Sequence, residues 1–178
     1  MKKITLLLAA VFILSAINAQ SKYFTKTGNV YFSAGTSLEK IEGTNKSVTS
    51  IFDAATGQME FALLVKGFEF SSALMQEHFN ENYMESDTYP KSLFKGKVIN
   101  IDKVNFLANG TYPVTVKGTL EIHGVKKDVQ VTGEFKVSNG IVSSVADFDV
   151  LLSDYNIAIP GLVKDKISKN AAIKVNCT

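Results

Sequence analysis

The feature that most constrains this chain is a two-residue period. Val114, Val116, Gly118, Leu120 and Ile122 alternate with Thr115, Lys117, Thr119, Glu121 and His123, and Val129, Val131, Phe135 and Val137, with Gly133 among them, alternate with Gln130, Thr132, Glu134 and Lys136. Such alternation gives a strand one apolar face for a core and one polar face for water. Asn139-Gly140 follows the second run and precedes a third. Both residue types tolerate the positive φ of a type I′ turn, so this dipeptide predicts a tight hairpin and antiparallel pairing. His123-Gly124 reads as a second tight turn, between the first run and a return strand through Asp128-Val129-Gln130-Val131.

The same period recurs along the chain. Strands are expected over 27–33, 48–52, 58–65, 92–101, 114–123, 128–138, 141–153 and 171–177, with a further short one near Phe68-Glu69-Phe70. Ala55-Thr56-Gly57 and Asn109-Gly110 read as looser turns. One segment departs from the pattern. From Ser71 to Glu85, Leu74, Met75, His78, Phe79, Asn82 and Tyr83 recur at helical spacing behind Ser71-Ser72, which can cap a helix, and Pro90 bars its continuation. A second helical turn is expected over 162–168, after Pro160-Gly161. No repeat, low-complexity run or linker divides the chain, so the expected domain is all-β with a short helical insertion. About eight antiparallel strands build either a sandwich or a closed barrel, and the pattern alone does not choose.

The N-terminus belongs to a different problem. Met1-Lys2-Lys3 is a basic head, Ile4 to Ile17 an apolar run too short for a convincing membrane span, and Ala19 a small residue before a cut. Residues 1–19 are therefore expected to be a secretory signal peptide, giving an exported, periplasmic chain from Gln20. Export permits disulfides, yet Cys177 is the single cysteine and cannot staple the chain to itself. The core must hold the fold, and a chain of about 150 residues buries roughly 68–70% of its unfolded surface, enough for one domain. All nineteen basic residues are lysine, and two of them, Lys2 and Lys3, leave with the signal, so seventeen lysines face seventeen acids. Nucleic-acid binders present a basic face and use arginine for bidentate contacts. This chain has neither a basic excess nor any arginine, and no nucleic-acid partner is expected.

Three segments, in this order and spacing, carry a resemblance. Glu77-His78-Phe79 runs through Thr88-Tyr89-Pro90 to Phe94; Gly118 to Lys127 holds the His-Gly turn; and Asp154-Tyr155-Asn156-Ile157-Ala158-Ile159-Pro160 follows a long strand. Together they resemble the YceI-like family of small secreted bacterial proteins, over essentially residues 20–178. One departure is Asn82-Tyr83-Met84-Glu85-Ser86, where the family commonly has a run of phenylalanine and aspartate. The resemblance implies an antiparallel lipocalin-like β-barrel of about eight strands, associated with binding of polyisoprenoid lipids. It implies an apolar lipid as partner, held in the lumen against Phe61, Leu63, Phe94, Val116, Gly118, Leu120, Val131, Phe135, Phe148 and Val150. The small inward residues Gly96, Gly118, Gly133 and Ala146 can leave space among large ones, or serve the bends of coiled strands.

Chemistry finds little support. A metal site needs about three converging ligands, and His78 and His123 stand in separate elements with no His-Glu-x-x-His spacing. His123 in its Gly-flanked turn is expected to make a local hydrogen bond or face solvent, and His78 to sit near the barrel mouth or serve structure. There is no nucleophile elbow, P-loop or dinucleotide fingerprint. Asp147 and Asp149 share a strand face, which is expected to be solvated. The expectation is a carrier or scavenger without enzymatic activity, cofactor or metal. The alternative is a filled barrel that acts through its outer surface as an envelope stress or adhesion accessory.

Overall fold

The computed structural model describes residues 22–178, so the signal-peptide expectation lies outside the described residues. Eight strands follow in sequence: β1 (Lys22–Gly35), β2 (Glu42–Asp53), β3 (Gln58–Leu64), β4 (Lys91–Val98), β5 (Gly110–Ile122), β6 (Val125–Ser138), β7 (Ile141–Leu151) and β8 (Ile167–Cys177). Each pairs antiparallel with the next, and β8 pairs back onto β1, closing a barrel. The lipocalin-like barrel is the observed architecture, and closure gives each of the eight described strands a neighbour on both sides.

The two tight hairpins form as their sequences dictate. His123-Gly124 and Asn139-Gly140 all have positive φ (51°, 72°, 51° and 80°), which matches the type I′ requirement at both central positions. Ile122 pairs with Val125 across the first turn and Ser138 with Ile141 across the second. Several strands run longer than expected: β1 begins at Lys22, β2 at Glu42 and β8 at Ile167, and Gly110 starts β5 instead of lying in a turn. Two strands stop short, β4 at Val98 before a 3₁₀ turn at Ile101–Lys103, and β7 at Leu151 before another at Leu152–Tyr155. The helical turn expected over 162–168 shrinks to a 3₁₀ turn, Gly161–Val163, and Ile167-Ser168 already belong to β8. Phe68 to Phe70 makes no strand of its own, only a bridge from Glu69 to Thr44.

The insertion is a helix of two kinds. α1 (Ala73–His78) is capped by the Ser72 hydroxyl, which accepts from the Met75 amide at 3.4 Å, and it widens into a π-helical turn over Phe79–Tyr83. The widened turn sets Phe79 against Phe32, Phe68 and Phe70, with ring centroids 5.3, 5.5 and 4.9 Å away. A second aromatic group, Tyr23, Phe52, Phe106 and Phe135, packs together, with the Phe52 and Phe135 ring centroids 4.8 Å apart, and closes the opposite end of the barrel.

Candidate functional site

The barrel encloses a cavity of about 530 Å³. Its wall is built by period two: Val30, Phe32 and Ala34 on β1, Val114, Val116, Leu120 and Ile122 on β5, Phe148 and Val150 on β7, and Ala171, Ile173 and Val175 on β8 all point inward. The floor is Val48, Met59, Val114 and Phe135, beneath which Phe52 and the closing aromatic group lie. Cavities of this size and character are typical of small-molecule sites.

The other end is where the cavity meets solvent, and three segments frame it. The insertion contributes Leu74, Met75, His78, Phe79 and Tyr83, the β1–β2 loop contributes Glu39 and Ile41, and the segment before β8 contributes Val163, Lys166 and Ile167. The last two segments are tied together by an ion pair from Lys166 to Glu39 at 3.0 Å and by a hydrogen bond from the Thr36 hydroxyl to the Asp165 carbonyl at 2.8 Å. Burial, with the Glu39 charge adding to it, holds the Tyr83 phenol at the rim above its ordinary pKa. His78 is exposed on the helix and borders the cavity.

His123 departs from its expected place. Its ring is buried, and Nδ1 donates to the Tyr155 carbonyl at 3.1 Å, thirty-two residues on, while Tyr89 stands edge-on at 4.5 Å. The carbonyl can only accept, so this contact places the proton on Nδ1. Among the described residues Nε2 has no hydrogen-bond partner, and the carboxylate of Glu85 lies 3.7 Å away. The imidazole thus pins the β5–β6 turn to the Leu152–Tyr155 turn and sits outside the cavity wall. Asp147 and Asp149 are exposed on the outer face of β7. Among the described residues no three histidine, cysteine, aspartate or glutamate side chains group to hold a metal, and no helix is long and apolar enough to cross a membrane.

A model of the YceI-like domain matches residues 21–178. The chain belongs to the YceI-like family. A search of the curated proteins found no match. Among solved structures, a polyisoprenoid binding domain from Saccharophagus degradans, implicated in plant cell wall breakdown, superposes with a TM-score of 0.75 at 12% identity, over 88% of this chain and 95% of that one. BcnA from Burkholderia cenocepacia gives 0.69 at 16% identity, over 84% and 94%. A variant of the Campylobacter jejuni YCEI protein gives 0.51 at 17%, over 99% and 98%. At these identities the likeness is one of fold.

Within this YceI-like barrel, nine of the ten residues the sequence placed in the lumen border the cavity: Phe61, Leu63, Phe94, Val116, Leu120, Val131, Phe135, Phe148 and Val150. Gly118 does not. It faces inward opposite Gly96, but the Phe94 ring covers both: a Cβ on Gly118 would lie 2.7 Å from Phe94 Cζ and run into the Lys95 carbonyl oxygen. Those two glycines make room for a side chain of the protein. Gly133 and Ala146, paired across β6 and β7, do border the cavity. Sequence reasoning missed β1 and β8 as walls, although Val30-Tyr31-Phe32-Ser33-Ala34 and Ala171-Ala172-Ile173-Lys174-Val175 carry the same period. It missed Phe68 and Phe70 as well, whose place follows from packing on Phe32 at 5.3 and 5.8 Å.

Proposed function

We propose that this protein binds an apolar lipid chain of polyisoprenoid type in the barrel lumen, as an exported, periplasmic carrier or scavenger with no catalytic step of its own. The observation that carries the reading is the 530 Å³ cavity lined by aliphatic and phenyl groups and bordered by solvent at one end. At about 30 Å³ per methylene-sized group, close to the share of one water in the liquid, it has room for roughly fifteen to twenty such groups. Burial at about 0.8 kcal/mol each provides roughly 12–16 kcal/mol, comparable to an association cost of about 4–15 kcal/mol. Glu39, His78, Tyr83 and Lys166 border the cavity at the rim, where a head group would sit, while the walls are mainly aliphatic and phenyl. Membership of the YceI-like family and the polyisoprenoid binding named for the Saccharophagus domain support the choice of ligand. A filled barrel acting through its surface has less support, because the lumen keeps this space.

Mass spectrometry of lipid carried through native purification tests the reading, together with titration of a fluorescent prenol delivered from ethanol. One lipid-sized ligand per chain and saturable binding are expected. A protein that carries no lipid and binds no prenol would sink the proposal and return the surface-acting reading.

A further inference from the structure

We propose that the open end of the barrel docks on the surface of a net-neutral, zwitterionic lipid bilayer through a ring of leucines. Each of the three segments framing the cavity mouth carries an exposed leucine: Leu38 on the β1–β2 loop is 71% exposed, Leu74 on α1 59%, and Leu162 beside Val163 100%. The pairing of Gly35 with Ile167 and the Lys166–Glu39 bridge fix the first and third segments side by side. Large apolar side chains displayed together at loop tips lose nothing by entering an interface and gain their burial there. They continue the apolar surface of the cavity outward without a polar break at Leu74, which belongs to both.

Charge identifies the occupant. Lys40 is bridged to Glu42 at 2.8 Å and Lys166 to Glu39 at 3.0 Å, and Lys164 is followed by Asp165, so the two segments that carry Leu38 and Leu162 hold three lysines against three acids and have no cationic excess. The acids of the insertion, Glu77 and Glu81, border a separate polar groove with Lys66 and Asp87, on the face of α1 turned from the mouth. A surface with self-cancelling pairs around an apolar centre complements a headgroup layer of alternating charges, whereas an anionic membrane selects a lysine excess. The inference rests on the lipid-binding reading for its purpose, since cargo of that kind resides in a bilayer, but the geometry of the leucines stands apart from it.

The chain contains no tryptophan, so a single one reports its own surroundings. Leu162→Trp is compared with Leu107→Trp, an 87% exposed position beside the Phe106 of the closed end. With cargo-free phosphatidylcholine vesicles, the emission of Leu162→Trp should move to shorter wavelength and become shielded from an aqueous quencher, and that of Leu107→Trp should do neither. Replacing Leu38 and Leu162 together by serine should lower co-sedimentation with these vesicles ten-fold or more, while prenol loading from ethanol and the thermal midpoint stay as in the wild type. Binding should be indifferent to salt. No shift at Leu162→Trp, an equal shift at Leu107→Trp, or binding that needs anionic lipid and fades with salt would each overturn the proposal. So would a wild-type dimer that the double variant splits in the absence of vesicles, which would assign the leucines to a second copy. A wild type that sediments with vesicles yet takes no prenol from ethanol would leave docking standing and remove the lumen reading instead.

Discussion

Phe79→Ala should loosen the insertion over the cavity mouth while leaving the eight strands in place. The ring of Phe79 stacks on Phe32 at 5.3 Å and 20°, meets Phe68 edge-on at 5.5 Å and tilts against Phe70 at 4.9 Å. At about 0.5–1.5 kcal/mol per aromatic pair beyond simple area burial, three pairs amount to roughly 1.5–4.5 kcal/mol. Because Phe79 is half-buried, the full cavity cost of a core phenylalanine does not apply, and about 2–4 kcal/mol is the expected loss. Ser72 still caps α1, and the barrel hydrogen bonds do not pass through Phe79, so the loss should fall on local opening of the insertion. At a factor of ten per 1.4 kcal/mol, its opening constant should rise roughly 30- to 700-fold. Hydrogen exchange followed by mass spectrometry reads this directly: amides within 73–84 should lose protection and those of β5 and β6 should keep it. A prenol loaded beforehand should leave correspondingly faster. Unchanged exchange within 73–84 would refute the reasoning, and protection lost evenly over all strands would show that the insertion does not open by itself.

Asn45 is 1% exposed, donates to the Leu64 carbonyl and accepts from the Ser47 amide, both at 2.9 Å; Asn45→Ala leaves two polar groups unpaired at about 1–3 kcal/mol each and should lower the urea midpoint with little change in slope. Gly118→Leu should destabilise the barrel by driving into the Phe94 ring and the β4 backbone, whereas Ala146→Leu projects into the cavity and should reduce prenol capacity in a protein that still melts cooperatively. Burial pushes the Cys177 thiol up to about 11, so a disulfide reagent at pH 8 should label it only after unfolding. With the folded value raised, the thiol's contribution to stability is complete below the unfolded value of about 9 and is lost as pH rises from there through about 11, which urea titrations across that range would detect.

The fold was legible wherever one strand face is apolar and the other charged, as in β6, where Val129 to Val137 carry the period without interruption. The first half of β2 was not, because its inward positions are Gly43 and Asn45. The glycine lies beneath the rings of Phe32 and Phe70, and the asparagine caps a carbonyl, so neither looks like core. A register shift between Gly28 and Val30 on β1 also breaks the phase where Asn45 and Val48 meet that strand. For the site, period two gave the correct face of Gly118 but could not give the rotamer of Phe94 that fills the space above it. Helical spacing found the insertion, but its widening at Phe79 comes from tertiary packing. The buried role of His123 was out of reach, because its acceptor comes from a turn thirty-two residues away.

The aromatic group of Tyr23, Phe52, Phe106 and Phe135 makes the barrel a cul-de-sac. A guest cannot thread through it, so entry and departure share one doorway, and whatever goes in first comes out last. Displaced water must escape past the incoming molecule, which favours a slender, jointed guest over a rigid plate of equal volume. A chain longer than the chamber has two courses, to double back or to leave its remainder outside. For a ligand of the kind proposed, the dead end would act as a gauge of length, and enlarging the floor at Met59 is the change that would reset it.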